Sequence, residues 1–365
     1  MGGTWNSQNK ILPGAYINFL TNAPLSITVG DRGIVVILQE VSKGIKGEIY
    51  RITALDQSAW PAGVTAEDKL FANEALKGAQ TVLVYNLGTS HTDEDVETAL
   101  DALKTENFNV ICYPYDDDDT IKTTGEGEGE GEGEGDSTFI VAEIQTWVEA
   151  MREDEGVKIQ AVLANYDADN EAVINVTQGV KLADGTELTP AQTTAWVAGI
   201  TAGARINQSN TGRKYVGAVD VAPRMTKSEM EAAVQNGEFI FKVDSAQNVT
   251  AVYDINSLIT ITPEKGKQFT KNRLIRTIDG INNDITTIFE SNYVGKVDNN
   301  ADGRSLLRAT LIEYFNELQR LNAIQNFVPE DVTVSPGTDS DAVVIDCYIQ
   351  PVDSVEKIYI TVSLS

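Results

Sequence analysis

Short apolar strands and amphipathic helices alternate through the middle of this chain, and that alternation constrains the fold more than anything else in it. The apolar runs are VLVYNL (82–87), VICYPY (110–115), VKIQAVLAN (157–165) and AVINVT (172–177). Residues 92–104 place Val96, Leu100 and Leu103 on one helical stripe, and 137–152 do the same with Ile140, Ile144, Trp147 and Met151. Strands of this length separated by helices build a parallel sheet with covering helices. The expected fold class is α/β, here an α+β multi-domain arrangement around one parallel sheet.

Two flanking regions read differently. On the amino side, ITVGDRGIVVILQEV (27–41) and KGEIYRIT (46–53) look like strands separated by glycines, which suggests a small β-sandwich-like domain over 25–90. On the carboxyl side, Thr189-Pro190-Ala191-Gln192 and Thr226-Lys227-Ser228-Glu229 have the form of helix capping boxes, the second helix stopping at Asn236-Gly237. GEFIFKVD (237–244) and VTAVYDIN (249–256) then read as a hairpin. Two long helices follow, near 270–290 with Leu274, Ile278, Ile281, Ile285 and Ile288, and near 305–325 with Leu307, Leu311, Tyr314, Leu318 and Leu321. Such stripes are core faces. The expected organisation is an arm at 1–24, a β domain at 25–90, an α/β domain at 91–237, an α+β domain at 238–356 and a last strand at 357–365.

Both ends carry strand patterns. After Pro13-Gly14, Ala15, Ile17 and Phe19 alternate with Tyr16, Asn18 and Leu20; in KIYITVSLS, Ile358, Ile360, Val362 and Leu364 alternate with Tyr359, Thr361 and Ser363. Each such strand must join a sheet, either in its own fold or on a neighbouring subunit. Between the two ends, a low-complexity segment runs from Asp116 through Gly-Glu repeats to Asp136. It has no apolar area to bury and is expected to be a solvated loop.

With 54 acidic and 28 basic residues the net charge is −26, which disfavours nucleic acid as a direct partner and makes identical copies repel one another. No basic stretch followed by an apolar one opens the chain, and no run approaches the ~20 apolar residues of a membrane span. The expectation is cytoplasmic synthesis without membrane insertion. Cys112 and Cys347 lie in apolar strand-like runs and are expected to be buried free thiols.

The sequence offers little chemistry, and no cofactor, catalytic residue or metal ligand is expected. His91 is the single histidine and no G-x-S-x-G elbow accompanies it. The Gly-Glu run fails G-x-G-x-x-G, since Glu130 stands where a glycine is needed, and no phosphate-loop motif occurs. Asp298-Asn299-Asn300-Ala301-Asp302-Gly303 resembles half of a calcium loop, but Ala309 stands where the bidentate Glu belongs, so a turn capping the next helix is the preferred reading. Asp167, Asp169 and Glu171 read as a loop. One cationic run stands out: Lys265, Lys267, Lys271, Arg273 and Arg276 fall in a stretch free of acids. Cations gain nothing at a helix start, so this run is a candidate docking surface for an acidic protein.

Taken together, NKILPGAYINF, GAQTVLVYNLG, ENFNVICYPY, LTPAQTTAWVAGITAGARINQSNTGRKYVGA, FTKNRLIRTIDGINNDI and YVGKVDNNADGRSLLRATLIEYFNELQRLNAI resemble the sheath proteins of contractile phage tails and phage-derived R-type bacteriocins, in the short form of Gram-positive hosts. The Gly-Glu loop departs from that pattern. The resemblance implies a structural, non-enzymatic subunit that forms stacked hexameric rings around an inner tube and contracts on a baseplate trigger. Its implied partners are further copies of itself, the tube protein, and baseplate and tail-terminator proteins; release would follow lysis as part of a virion or bacteriocin particle. Carried over by position, Ala15, Tyr16, Ile17, Asn18 and Phe19, with Ile358, Tyr359, Ile360, Thr361 and Val362, become inter-subunit strands. The cationic run becomes a candidate tube-attachment surface. Read without the resemblance, the residues also allow an α/β ligand-binding protein or enzyme, or another self-assembling protein.

Overall fold

The computed structural model describes residues 32–116 and 140–362. The amino-terminal strand at 13–20 and nearly all of the acidic loop lie outside the described residues. The first six strands are β1 (Ile34–Gln39), β2 (Ile49–Thr53), β3 (Thr81–Asn86), β4 (Val110–Cys112), β5 (Gln160–Ala164) and β6 (Val173–Val176). They lie side by side in one sheet in the order β6-β5-β4-β1-β3-β2. β1, β3, β4, β5 and β6 are parallel, and β2 closes one edge antiparallel to β3. The small β domain expected at 25–90 is therefore absent as a separate unit among the described residues: β1 sits at the centre of the α/β sheet. Glycine-bounded strands look alike in a sandwich and in a parallel sheet. The distinguishing mark is IVVILQ, which is buried from Val35 to Gln39 and so needs a layer on each side.

Those two layers follow from strand alternation. Val35, Ile37, Val82, Val84, Val110, Cys112, Val162 and Ile174 face one core with Trp196 and Val197. Val36, Leu38, Leu83, Tyr85, Ile111, Tyr113, Leu163 and Val173 face the other, with Val96, Leu100, Ile144 and Trp147. The helices involved are α1 (Leu70–Ala75), α2 (Asp93–Leu103) and α3 (Ile140–Glu153), then α4 (Pro190–Gly203) after a three-stranded sheet of β7 (Gly179–Leu182), β8 (Glu187–Leu188) and, beyond α4, β9 (Ala218–Ala222). α1 and α4 cover the first face, α2 and α3 the second. The capping boxes form as expected: Thr189 Oγ1 accepts from the Gln192 N–H, and Thr226 opens α5 (Lys227–Gln235) in the same way.

After α5 the chain returns to the large sheet. β10 (Glu238–Phe239) pairs parallel with β6, and β11 (Phe241–Val243) forms a hairpin with β12 (Val249–Ala251). Phe239, Phe241, Val249 and Ala251 all belong to the first core, so the packing break falls after this hairpin and not at residue 238. Beyond it lie α6 (Asn272–Ile288), α7 (Ala301–Arg320), and two small sheets, β13 (Ile324–Gln325) with β16 (Gln350–Pro351) and β14 (Val332–Pro336) with β15 (Val343–Cys347). A third core gathers Ile281, Leu307, Leu311, Tyr314, Phe315, Leu318, Phe327 and Val332.

The α7 stripe is the core face expected. The α6 stripe is only partly so: Ile281 is buried, whereas Leu274, Ile278, Ile285 and Ile288 are half-buried. The face of α6 most removed from solvent instead carries Arg273, Arg276, Asp279 and Asp284. Cys347 also departs from expectation. It is a free thiol on β15 but exposed, because β15 belongs to a two-stranded sheet with uncovered residues; Cys112 is buried in β4.

Candidate functional site

In an open α/β sheet, chemistry concentrates where the carboxyl ends of strands leaving in opposite directions meet. Here that place lies between β1 and β4, and its polar groups are spent on one another. His91 Nδ1 lies 2.8 Å from a Glu40 carboxylate oxygen and Nε2 lies 2.7 Å from the Tyr113 hydroxyl. The Tyr115 hydroxyl accepts from the Glu40 N–H at 2.7 Å, and burial pushes that phenol up. His91 is buried and stacks edge-on against Tyr113. The arrangement ties together the loops after β1, β3 and β4, and the Tyr113 hydroxyl on which it converges is buried.

The other sequence-level candidates resolve in the same direction. Asn300 caps α7 by accepting from the Gly303 N–H at 2.8 Å, and Asn299 donates to Ser340 and Ala342 carbonyls. Asp169 accepts from the Ile259 and Thr260 N–H groups, and Glu171 pairs with Lys265 at 2.7 Å. That acidic cluster is thus a clasp between two loops, which local spacing alone could not reveal. Among the described residues, no three His, Cys, Asp or Glu side chains are placed to hold a metal ion. No helix among them is long and apolar enough to cross a membrane.

The cationic run is not a free patch. Arg276 is buried and donates to Asp254 Oδ2 and the Gln208 carbonyl, each at 2.7 Å. Arg273, also buried, donates to Ser354 Oγ at 2.7 Å, and burial depresses its pKa. Lys271 lies over the Tyr253 ring at 4.2 Å and pairs with Glu356. Burial works to lower its pKa, but Glu356 and Tyr253 outweigh that and hold it above the usual lysine range. The local excess of cations is explained inside the chain, and only Lys265 and Lys267 are exposed.

What remains open to a partner is the segment beyond β16. Val352 donates to the Ala323 carbonyl at 2.9 Å, and Glu356 accepts from Ser209 and Thr211 hydroxyls at 3.0 and 2.7 Å. From there to residue 362 the chain belongs to no strand among the described residues. Ile358, Tyr359, Ile360 and Val362 are 74%, 91%, 79% and 76% exposed. Thr361 is exposed as well. Four large apolar side chains in five residues stand uncovered, a feature that is costly in water and common to interaction surfaces. A groove of about 750 Å³ lies beside the root of this segment, between α5 and residues 252–271, with Met230, Val234, Ile255 and Ile259 in its walls.

Three family models match the chain. The phage tail sheath protein central domain matches residues 133–257, the phage tail sheath C-terminal domain 264–365, and the tail sheath protein Gp18 domain III N-terminal region 32–87. A tail sheath protein of Clostridium phage phiCD119 is 32% identical, over 86% of this chain and 82% of its own. The uncharacterized protein YqbK of Bacillus subtilis is 39% identical over 75% of this chain, which spans only 56% of that relative's length. Among solved structures, the sheath tail protein of Desulfitobacterium hafniense matches with a TM-score of 0.79 at 35% identity, covering 95% of this chain and 99% of that one. The contracted helical sheath of the anti-feeding prophage matches with a TM-score of 0.70 at 14% identity, a likeness of fold.

Proposed function

This chain belongs to the phage tail sheath protein family, and we propose that it is a structural subunit that polymerises as stacked hexameric rings around an inner tube and contracts to drive that tube through a cell envelope. The observation that carries the reading is the exposed apolar segment 358–362, which has the side-chain period of a strand and, among the described residues, no strand paired with it. Donated to the open edge of a sheet in a neighbouring copy, it would bury Ile358, Ile360 and Val362 and pair its backbone. Head-to-tail donation of this kind generates rings and helical stacks. The amino-terminal residues Ala15 to Phe19 are proposed to act in the same way.

Magnitudes show why many copies are needed. Each buried aliphatic side chain contributes about 2 kcal/mol and each backbone hydrogen bond about 1 kcal/mol. Ordering costs about 1–2 kcal/mol for each residue. One arm therefore nets only a few kcal/mol, and a durable sheath requires repeated arms acting together. A weak link per copy suits a lattice whose subunits must shift past one another without separating.

No enzymatic step enters this reading, and the partners are further copies, the tube protein, and baseplate and terminator proteins. Synthesis in the bacterial cytoplasm and release by lysis within a virion tail or R-type bacteriocin particle complete it. With four of its five cations engaged internally, Lys265 through Glu171, tube attachment through the basic run is narrowed to the two that stay exposed, Lys265 and Lys267. The test is negative-stain microscopy of the purified chain beside a version ending after Lys357. The full chain is expected to form hollow tubes or rings, and the shortened one to remain folded by circular dichroism and unpolymerised. Tubes of normal stability from the shortened chain would refute the role of the arm.

A further inference from the structure

Ser354, Glu356, Ile358, Ile360 and Val362 fall at alternate positions, which a strand would place on one face, and the chemistry of that set changes after Glu356. Before the change, the set is polar and held down. Ser354 accepts from Arg273 Nη1 at 2.7 Å. The Glu356 side chain is only 7% exposed, and both its oxygens are engaged: Oε1 accepts from Ser209 and Thr211, and Oε2 accepts from Lys271. Val355, between them, is 85% exposed. After the change, the same set is apolar, and among the described residues 358–362 make no hydrogen bond.

We infer that Glu356 is the positioning residue that roots the arm in its own subunit, and that the surface given to a second copy begins at Ile358. This rests on the sheath reading above and deepens it by fixing where the subunit ends and the link begins. Two features support Glu356 as a fixed point. The first is register: a slip of one residue would set Val355 or Lys357 against the Lys271 ammonium in place of the buried Glu356 carboxylate, leaving the more exposed Asp353, 3.6 Å from it now, as the remaining counter-charge nearby. The second is the path behind it. Lys271 and Arg273 stand at the start of α6, and α6 is tied to the body through Arg276 to Asp254 at 2.7 Å. It is tied again through two Arg152 N–H groups on Asp279 at 2.7 and 2.8 Å. Tension on the arm therefore passes into a helix joined by ion pairs to the loop before it and to α3. A polar root and an apolar tip also separate two tasks, since the tip can leave one sheet edge without loosening the root.

Hydrogen exchange followed by mass spectrometry on the unpolymerised full-length chain tests this. In the wild type, the Val352 and Ser354 amides, which donate to the Ala323 carbonyl and Asp353 Oδ1, are expected to be protected and those of 358–362 to exchange freely, with trypsin cutting readily after Lys357. Glu356→Gln, which keeps the shape and removes the charge, is expected to speed exchange at Val352 and Ser354 by about tenfold. The exchanged pair Lys271→Glu with Glu356→Lys should restore part of the protection, which a purely steric role would not. The inference is overturned by unchanged exchange in Glu356→Gln, or by protection in the wild-type subunit that continues through 358–362. Polymerisation of the chain ending after Lys357 would instead refute donation of the arm and leave the exchange result standing, so the two failures are distinguishable.

Discussion

Asp68 ties the end of β1 to the turn before α1. Its carboxylate accepts from Ser42 and Thr65, from the N–H and the hydroxyl of each, at 2.7–2.8 Å. Burial alone would raise this acid, but the four donors outweigh it and hold the group at about 2, against an ordinary 3.8. A carboxyl depressed by folding contributes stability above its unfolded pKa and loses it as pH falls through the folded one. Asp68→Asn is therefore expected to destabilise the subunit by about 1–2 kcal/mol at neutral pH, after allowance for solvent screening. The difference from wild type should shrink as pH drops from about 4 to 2. Thermal melts of both proteins across that range provide the check, and a gap constant with pH would show that packing, not charge, carries the effect. Thr65-x-x-Asp68 has the local form of a capping box, but Ser42 joins it only once β1 is placed. The same holds for His91, whose partners Glu40 and Tyr113 come from two different strands' ends.

α4 shows how far a single element was legible. Its start was written in Thr189-Pro190-Ala191-Gln192, and the cap forms as the residue types require. Its environment was not, because the helix is buried on nearly every side and so lacks a stripe that would point to one neighbour. Its two glycines have a specific use. A Cβ on Gly199 would sit 2.8 Å from Ala75 Cα, and one on Gly203 would collide with the Gly78 carbonyl, so α1 and α4 touch backbone to backbone. Alanine gains about 1 kcal/mol in helix propensity over glycine, but the obstructing atoms are main chain and cannot swing aside. Overpacking of about 1–3 kcal/mol should win. Gly199→Ala is thus expected to lower the urea midpoint, and a rise would mean that α1 moves freely. α6 misled for a related reason. Its isoleucine spacing marks the apolar side correctly, yet the helix is pinned by Arg273, Arg276 and Asp279, whose partners lie up to 127 residues away. Long-range ion pairs leave no periodic trace.

Across the whole molecule, the alternation of strands and helices was enough to give the parallel sheet, while the assignment of β1 to β3 to that sheet depended on contacts between distant segments. The net charge of −26 has a consequence that separates two kinds of contact. Copies of this chain repel one another at long range, and added salt screens that repulsion within about 10 Å at 0.1 M. Burial of apolar arms is not weakened by such screening. Self-association of the purified chain should therefore strengthen between about 20 and 200 mM sodium chloride. A tube contact made through Lys265 and Lys267 on an acidic partner would weaken over the same range. Light scattering of the chain alone, beside co-sedimentation with preformed tube, measures the two trends separately. Opposite slopes are expected, and charge reversal at Lys265 and Lys267 should flatten only the second. If self-association also falls as salt rises, attraction between unlike charges holds the copies together, and the exposed segment 358–362 is not the dominant link.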